Sequence, residues 1–520
     1  MGGITAGSAN PVRTGADALA EALLRYTRQL TVFLVTGNQN LPLVDALGRR
    51  DVTMVHARHE SGAGYMAEGW GRSSGEPGVY LVTAGPGLTS ALTPLASARL
   101  SEVPMILLSA SHPQAEGGMG AFQELEQVRL TRHLCKAAIR CLNGAEVAAV
   151  LGWAWQRAMA FPPGPVHLEL PADVLTGPAP HDAALGWSSI PARYLAPLPR
   201  QDPGGPLIRR RARELADALL AAEQPLVLLR PALGRSPAAK RLRRHVPVLL
   251  VESPRGLQDP AWADDQDLIA SADQIALLAP ADYAAGFGRV GSGQVWTCPD
   301  ACPALINELA RLLAGRDVTG RSAGARPGPR LDSPPAGMPR PAHPADVAAI
   351  VNRLVSDDDV LVIDGGEFCQ WMRHGLRARA DRQLINGKLG AIGGSIPLGI
   401  GAALQAPHRR HVVFIGDGSF GYYSAEIDTA VRSGARLTIV VGVDGSWGSE
   451  WHQQFSQYGG RTYVTGIGGL RYGLVAQGYG AHGIDAHDPG QFASLLAAAL
   501  DTTGVTCISI CVQRAPSPAC

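Results

Sequence analysis

Two aspartates in the last third of the chain carry the clearest chemical signal. In HVVFIGDGSFGYYSAEIDTAVRSGARLTIVVGVDGSWG (411–448) a hydrophobic run ends at Gly416-Asp417-Gly418, and a second, 437–443, ends at Asp444. The pattern predicts strand, helix (about 423–433), strand. Parallel strands joined by a right-handed crossover bring their carboxyl ends to one edge of the sheet. Asp417 and Asp444, 27 residues apart in sequence, are therefore expected side by side there. Two hard oxygen ligands suit Mg²⁺, which keeps positions for water and phosphate oxygens. Glycines around Asp417 let backbone N–H groups approach an anion at a helix start. The segment reads as a metal site beside a diphosphate site. Either Asp-Gly pair alone is an ordinary turn; the combination carries the signal.

The elements that would position these groups are short apolar runs alternating with helical stretches. That is the pattern of α/β layers with parallel sheets. A first group of strands is expected at 30–37, 52–57, 78–85, 104–110 and 163–171. After a Pro/Gly-rich stretch at 196–206, a second group is expected at 225–231, 246–252, 273–279 and 294–298. A third group is expected at 360–366, 411–418, 436–445 and 505–512. This divides the chain into domains at 1–185, 206–316 and 345–520, with a Gly-, Pro- and Arg-rich linker at 317–344. No repeat is visible between them in sequence. Gly286, Gly288 and Gly291 fit GxGxxG, but they precede a strand instead of opening a helix, so the segment reads as a turn.

Composition narrows the classes. With 520 residues, 46% hydrophobic and 18% charged, the chain can bury a large core unaided. The 46 basic and 45 acidic side chains leave a net charge of +1, which excludes a general electrostatic grip on nucleic acid. Only Lys136, Lys240 and Lys388 are lysines, so almost all basic charge is arginine. The eight cysteines form no CxxC pair; Cys298/Cys302 and Cys507/Cys511 sit four apart, and the latter two, in the apolar run CISICV, read as buried thiols. No leader and no apolar run near the length of a membrane span is seen, so a cytoplasmic protein with reduced thiols is expected.

The 411–448 segment resembles the thiamin diphosphate-binding motif of the acetolactate synthase, pyruvate oxidase and benzaldehyde lyase superfamily. The resemblance implies a three-domain α/β fold: a pyrimidine domain, a short middle domain and a diphosphate domain. It implies Mg²⁺ held by the side chains of Asp417 and Asp444 and by the carbonyl of Ser446. It also places Gly416, Gly418 and Ser419 at the cofactor. The family usually has Asn where Asp444 stands, so this chain adds one negative charge beside the diphosphate. HARHESGAGYMAEGWGR (56–72) resembles the helix whose glutamate, here Glu60, shares a proton with the cofactor's aminopyrimidine. TAGPGLTSALTPLA (83–96) resembles the loop that closes over the pyrimidine. INGKLGAIGGSIPLGIGAAL (385–404) resembles the segment that keeps the cofactor bent, with Ile392 as the apolar wedge and the Gly390 carbonyl near the amino group. In DGGEFCQW (364–371), Gly366, Glu367 and Phe368 are expected to help hold the diphosphate.

Residues near the reacting carbon should select the substrate. The candidates are Asn38, Gln39 and Asn40, with Gln123 in GAFQE; His112 and Trp447 are weaker ones. Gln39 stands where benzaldehyde lyase-like members have a catalytic histidine, and glutamine can orient a carbonyl or a water but is no acid or base near neutral pH. GAFQE resembles the acetolactate synthase form of this loop. The expected activity is therefore decarboxylation of a 2-oxo acid followed by carboligation of a small carbonyl substrate. Two alternatives stay open: a lyase of the benzaldehyde lyase or 2-hydroxyacyl-CoA lyase kind, and a catalytically inactive relative. The resemblance also implies a homodimer or homotetramer with active sites at the subunit interface. No nucleic acid, membrane or central-domain nucleotide is expected.

Overall fold

A computed structural model describes residues 13–27, 29–179, 205–252, 266–280, 294–316, 341–377 and 382–518. Most of the expected linker (317–340), the glycines of the GxGxxG decoy, and residues 196–204 of the Pro/Gly-rich stretch lie outside them. The chain forms two compact units. One comprises residues 1–67, 75–99 and 104–198; the other comprises 68–74, 100–103 and 199–520.

The first unit is built on six parallel strands: β1 (Thr31–Leu34), β2 (Thr53–His56), β3 (Gly78–Val82), β4 (Met105–Ser111), β5 (Ala137–Arg140) and β6 (Pro165–Pro171). Their order is β2-β1-β3-β4-β6-β5. Residues of β1, β3, β4 and β6 are buried along their whole length, as expected of a parallel sheet covered on both faces. Leu19 and Leu23 of helix Gly15–Tyr26 pack into one core with Val32, Leu81, Leu108 and Leu168. That helix starts at Thr14, whose hydroxyl accepts the Asp17 N–H while the Asp17 carboxylate accepts the Thr14 N–H, a capping box.

The second unit carries two sheets. One has β7 (Pro225–Leu229), β8 (Val248–Leu250), β9 (Gln274–Leu278) and β10 (Gln294–Thr297), in the order β10-β9-β7-β8. The other has β11 (Val360–Ile363), β12 (Gln383–Ile385), β13 (His411–Gly416), β14 (Leu437–Val443), β15 (His482–Ala486) and β16 (Val505–Cys511). Its order is β12-β11-β13-β14-β16-β15, and all its pairs are parallel. Leu361, Ile363, Phe414, Val440 and Ile508 join Phe492 and Leu496 of helix Pro489–Asp501 in its core. Strands β5, β12 and β15 were not expected from the sequence. Among the described residues, no helix is long and apolar enough to cross a membrane. Cys298, Cys302 and Cys507 are free and buried, whereas Cys511 is free and exposed.

Candidate functional site

Strands β13 and β14 pair in register, with Gly416 opposite Gly442, so Asp417 and Asp444 emerge from adjacent strands at one edge. Asp417 opens helix Asp417–Tyr423, and a separate helix, Glu426–Arg432, completes the crossover. The helix expected at about 423–433 is observed at Glu426–Arg432, and the short helix Asp417–Tyr423 before it was not expected. The Asp417 carboxylate accepts the Gly418 N–H at 2.9 Å and the Gly445 N–H at 2.7 Å, tying the first strand end to the second. Asp444 Oδ1 accepts the N–H and the hydroxyl of Ser446, both at 2.8 Å. Burial, and then the Asp444 charge, push the Asp417 carboxyl up to about 6; burial also raises that of Asp444.

These two carboxylates line a cavity of about 280 Å³ together with Gly366, Ile392, Ser419 and Trp447. Gly390, Gly416, Gly418, Glu367, Phe368 and Ser446 also face it. A Cβ added at Gly366 (φ +96°) or at Gly416 would meet nothing within 4 Å, so backbone lies open at both strand ends. At Gly418 a Cβ would come within 2.8 Å of the Trp447 indole, which covers that turn. The Phe368 ring is buried against the backbone of β14 at Gly442, so Phe368 can offer an anion only its N–H. The Glu367 carboxylate is committed elsewhere: it accepts the Ser449 hydroxyl at 2.9 Å and the Ser517 N–H. What faces the cavity at this turn is the start of helix Glu367–Gly375.

This donor set fits a divalent cation with a phosphate anion. Burial raises the proton affinity of both carboxylates, and the Asp444 charge adds to that of Asp417; a cation relieves this, and the glycine turns leave room for phosphate oxygens. Among the described residues, no group of three or more His, Cys, Asp or Glu side chains is arranged to hold a metal. A cation here would take its remaining ligands from a carbonyl, water or phosphate, as Mg²⁺ does.

In the first unit the expected residues gather at the carboxyl ends of β1–β4. Glu60 is the first residue of helix Glu60–Ser74. Its Oε1 would lie 3.7 Å from a Cβ added at Gly87, so the 85–87 loop passes beside it. Thr83 packs against both Gly37 and Gly87, and its hydroxyl donates to Gln39 Oε1 at 2.7 Å. Gln39, Thr83, Gly87 and Glu60 are thus linked in one chain of contacts. Asn40 is fully buried and caps its own turn, accepting the Gly37 N–H and donating to the Val35 carbonyl, both at 3.0 Å. Asn38 is exposed.

Gln123 sits at φ +61°, and its Cβ lies 2.8 Å from where a Cβ on Gly85 (φ +58°) would be. Two left-handed residues back onto each other, which requires glycine at 85. The next residue, Glu124, shapes the loop: its carboxylate accepts the N–H groups of Gly118, Gly120 (2.9 Å) and Ala121 (3.1 Å). Those bonds, that of Gly118 first, hold it below the usual carboxylate range. His112 is buried with its ring 3.8 Å from Glu124, so it supports this loop.

Sequence reasoning passed over two residues in the second unit. Asp364 follows β11 as Asp417 follows β13, and the shared strand-Asp-Gly pattern was the available signal. Arg514, from the C-terminal segment, donates to the Asp444 carbonyl at 3.1 and 3.2 Å and lies 5.5 Å over the Trp451 ring.

Two family models match the chain: the thiamine pyrophosphate enzyme N-terminal TPP binding domain over residues 13–130, and the C-terminal TPP binding domain over 364–510. Together they cover about half of the sequence. The chain is 27% identical to the acetolactate synthase large subunit IlvG of Mycobacterium tuberculosis, covering 87% of each chain. It is 28% identical to human 2-hydroxyacyl-CoA lyase 2, covering 91% of this chain and 85% of the other. It is 29% identical to a probable 2-ketoarginine decarboxylase, AruI, of Pseudomonas aeruginosa, covering 80% and 79%.

Proposed function

The chain belongs to the thiamine pyrophosphate enzyme family, and from that premise we propose that it decarboxylates a 2-oxo acid and joins the acyl unit to an acceptor carbonyl, as an acetolactate synthase does. In this reading Asp417, Asp444 and Ser446 hold Mg²⁺. Backbone at Gly366, Glu367, Phe368, Gly416, Gly418 and Ser419 holds the diphosphate. Gly390 and Ile392 set the cofactor's shape. The observation that carries the reading is the Asp417–Asp444 pair, raised by burial at adjacent strand ends over an open glycine-walled cavity.

When bound, thiamin diphosphate supplies an electron sink for the carbanion left as a bond beside a carbonyl breaks. The protein's part is placement and proton handling. Glu60 holds a proton at its carboxyl for exchange with a ring nitrogen of the cofactor. Gln39, fixed through Thr83, and Gln123, fixed by the Glu124 loop and Gly85, present amides that orient a carbonyl or a water without titrating. Proton transfer to the product would then fall to water held by these amides, to a histidine elsewhere in the chain, or, with the cofactor bound, to its amino group. We take the three sheets as three domains at 1–185, 206–316 and 345–520. The working form is a cytoplasmic homodimer or homotetramer, and a monomer that is fully active on sizing contradicts it.

A second reading, cleavage of a 2-hydroxyacyl thioester or an acyloin, is supported by the similarity to 2-hydroxyacyl-CoA lyase 2, 28% identical against 27% for the acetolactate synthase. A donor screen that follows CO₂ release and carboligation products together decides. Release of CO₂ from 2-oxo acids with acyloin formation supports the first reading. Cleavage of the hydroxyacyl donor with no CO₂ from any 2-oxo acid overturns it.

A further inference from the structure

The carboxylate of Asp364 is 3% exposed and pairs with no cation among the described residues. It accepts backbone N–H groups instead. Oδ1 takes the Gly365 N–H at 2.7 Å and the Gly393 N–H at 2.9 Å; Oδ2 takes the Ser395 N–H at 3.1 Å. Gly393 and Ser395 flank the start of helix Ser395–Gln405, where N–H groups lack partners within the helix. A carboxylate from 29 residues upstream thus caps that helix across the sheet edge. The Ile392 peptide groups are held from both sides. Asp364 takes the following N–H, and the Asn386 amide donates to the Ala391 carbonyl, which precedes Ile392, at 3.3 Å.

The surrounding packing leaves this segment little freedom. Gly393, at φ +86°, lies against Tyr422 and the Ser419 carbonyl, so no larger residue fits. A Cβ at Gly365 would come within 2.6 Å of Asn386 Nδ2 and 2.8 Å of the Ile392 side chain. Asp364, Asn386, Gly390 and Ile392 all line the cavity that holds the two aspartates.

We infer that Asp364 and Asn386 are positioning residues that bracket Ile392 and keep its side chain in cofactor-ready geometry before any cofactor arrives. This rests on the thiamin diphosphate reading of the cavity. Asp364 does the larger share because it satisfies three donors at once. Asparagine there would turn an NH₂ toward one of them and leave a buried donor unmet, a costly arrangement.

The test uses the full chain with thiamin diphosphate and Mg²⁺. Cofactor affinity is measured by calorimetry, and the near-ultraviolet circular dichroism of the bound aminopyrimidine reports its conformation. Asp364→Asn is expected to keep its far-ultraviolet spectrum, bind the cofactor about tenfold or more weakly, and lose the aminopyrimidine band. Asn386→Ala should show the same pattern at a few-fold. Ile392→Ala should lose the band while keeping slow exchange at the Gly393 amide. Wild-type affinity and spectrum in Asp364→Asn overturn the inference. If that variant does not fold, hydrogen exchange on the wild-type apoprotein decides. Protected Gly393 and Ser395 amides without cofactor support the bracket; free exchange until cofactor is added overturns it. A wild-type protein that binds no thiamin diphosphate sinks the functional reading itself, a result distinct from either.

Discussion

The first sheet of the N-terminal unit and the last sheet of the second unit have the same strand order, β2-β1-β3-β4-β6-β5 against β12-β11-β13-β14-β16-β15. Candidate residues follow corresponding strands in both. Gln39 comes after β1 and the Asp364–Phe368 turn after β11. Glu60 comes after β2 and Ile392 after β12. The Gly85–Gly87 loop comes after β3 and Asp417 after β13. The Gln123 loop comes after β4 and Asp444 after β14. One scaffold carries two chemistries. The N-terminal edge offers Glu60 as its one candidate carboxyl, among amides, whereas the other offers Asp364, Glu367, Asp417 and Asp444 among glycines. A parallel sheet fixes where side chains arrive and leaves their identity free.

The largest test of that contrast is at Glu60, the one acid among the N-terminal candidates. Glu60→Gln should slow deuterium exchange at the cofactor's acidic carbon by about 10²–10⁴-fold. An unchanged exchange rate, read by quenched-flow NMR, would remove Glu60 from the proton path. In the second unit, Asp417→Asn should weaken Mg²⁺-dependent cofactor binding by about a hundredfold or more. Asp444→Asn should cost about tenfold or less, because an amide oxygen remains a ligand and the repulsion that raises Asp417 is gone. Equal losses in the two variants, by Mg²⁺ titration, would contradict the division of labour between these strand ends.

The smallest effect distinguishes how the two sheets respond to acid. His167 on β6 is buried between the hydroxyls of Ser109 and Thr131, and burial pushes it down to about 3. The unfolded chain takes up that proton below about pH 6.5, while the folded one refuses it. The His167 contribution is therefore full above pH 6.5 and is lost as pH falls, by at most about 1.4 kcal/mol per pH unit. His411 in the second unit, lowered to about 4, acts in the same direction; carboxyls raised by burial act oppositely in both sheets, Glu169 alone on β6 but Asp364, Asp417 and Asp444 together in the second unit. Between pH 6.5 and 4, hydrogen exchange should quicken more in β4 and β6 than in β13 and β14, and His167→Gln should remove the difference. Equal acceleration in both sheets would contradict this account.

Much of both edges was legible in the sequence because the central strands feeding them, β1, β3, β4, β13 and β14, are apolar and buried along all or nearly all of their length. VVFIG and TIVVGV announce themselves, and the residues after them inherit a known direction. The short strands β5 (AAIR), β12 (QLI) and β15 (HGIDA) lie at sheet edges, are held by a single neighbour and carry little β-branched signal. The roles of Asp364 and Asn386 were hidden for another reason. Each acts on backbone in a different loop, and no local pattern encodes a cap supplied from 29 residues away. At Glu367 the sequence left open which part of the residue faces the cavity; Ser449 and Ser517 engage its carboxylate, so its backbone is what remains for a ligand.

The register that sets Gly416 opposite Gly442 also bears on how this chain tolerates change. The separation of Asp417 from Asp444 is set by the roughly 4.8 Å between neighbouring strands, and not by the 27 residues that join them. An insertion after Arg432, in the exposed turn beyond helix Glu426–Arg432, lengthens the crossover without moving either carboxylate. A single residue inserted within β14 shifts every side chain beyond it to the other face of the sheet and carries Asp444 away. Length is therefore free to drift between the two strands and forbidden inside them.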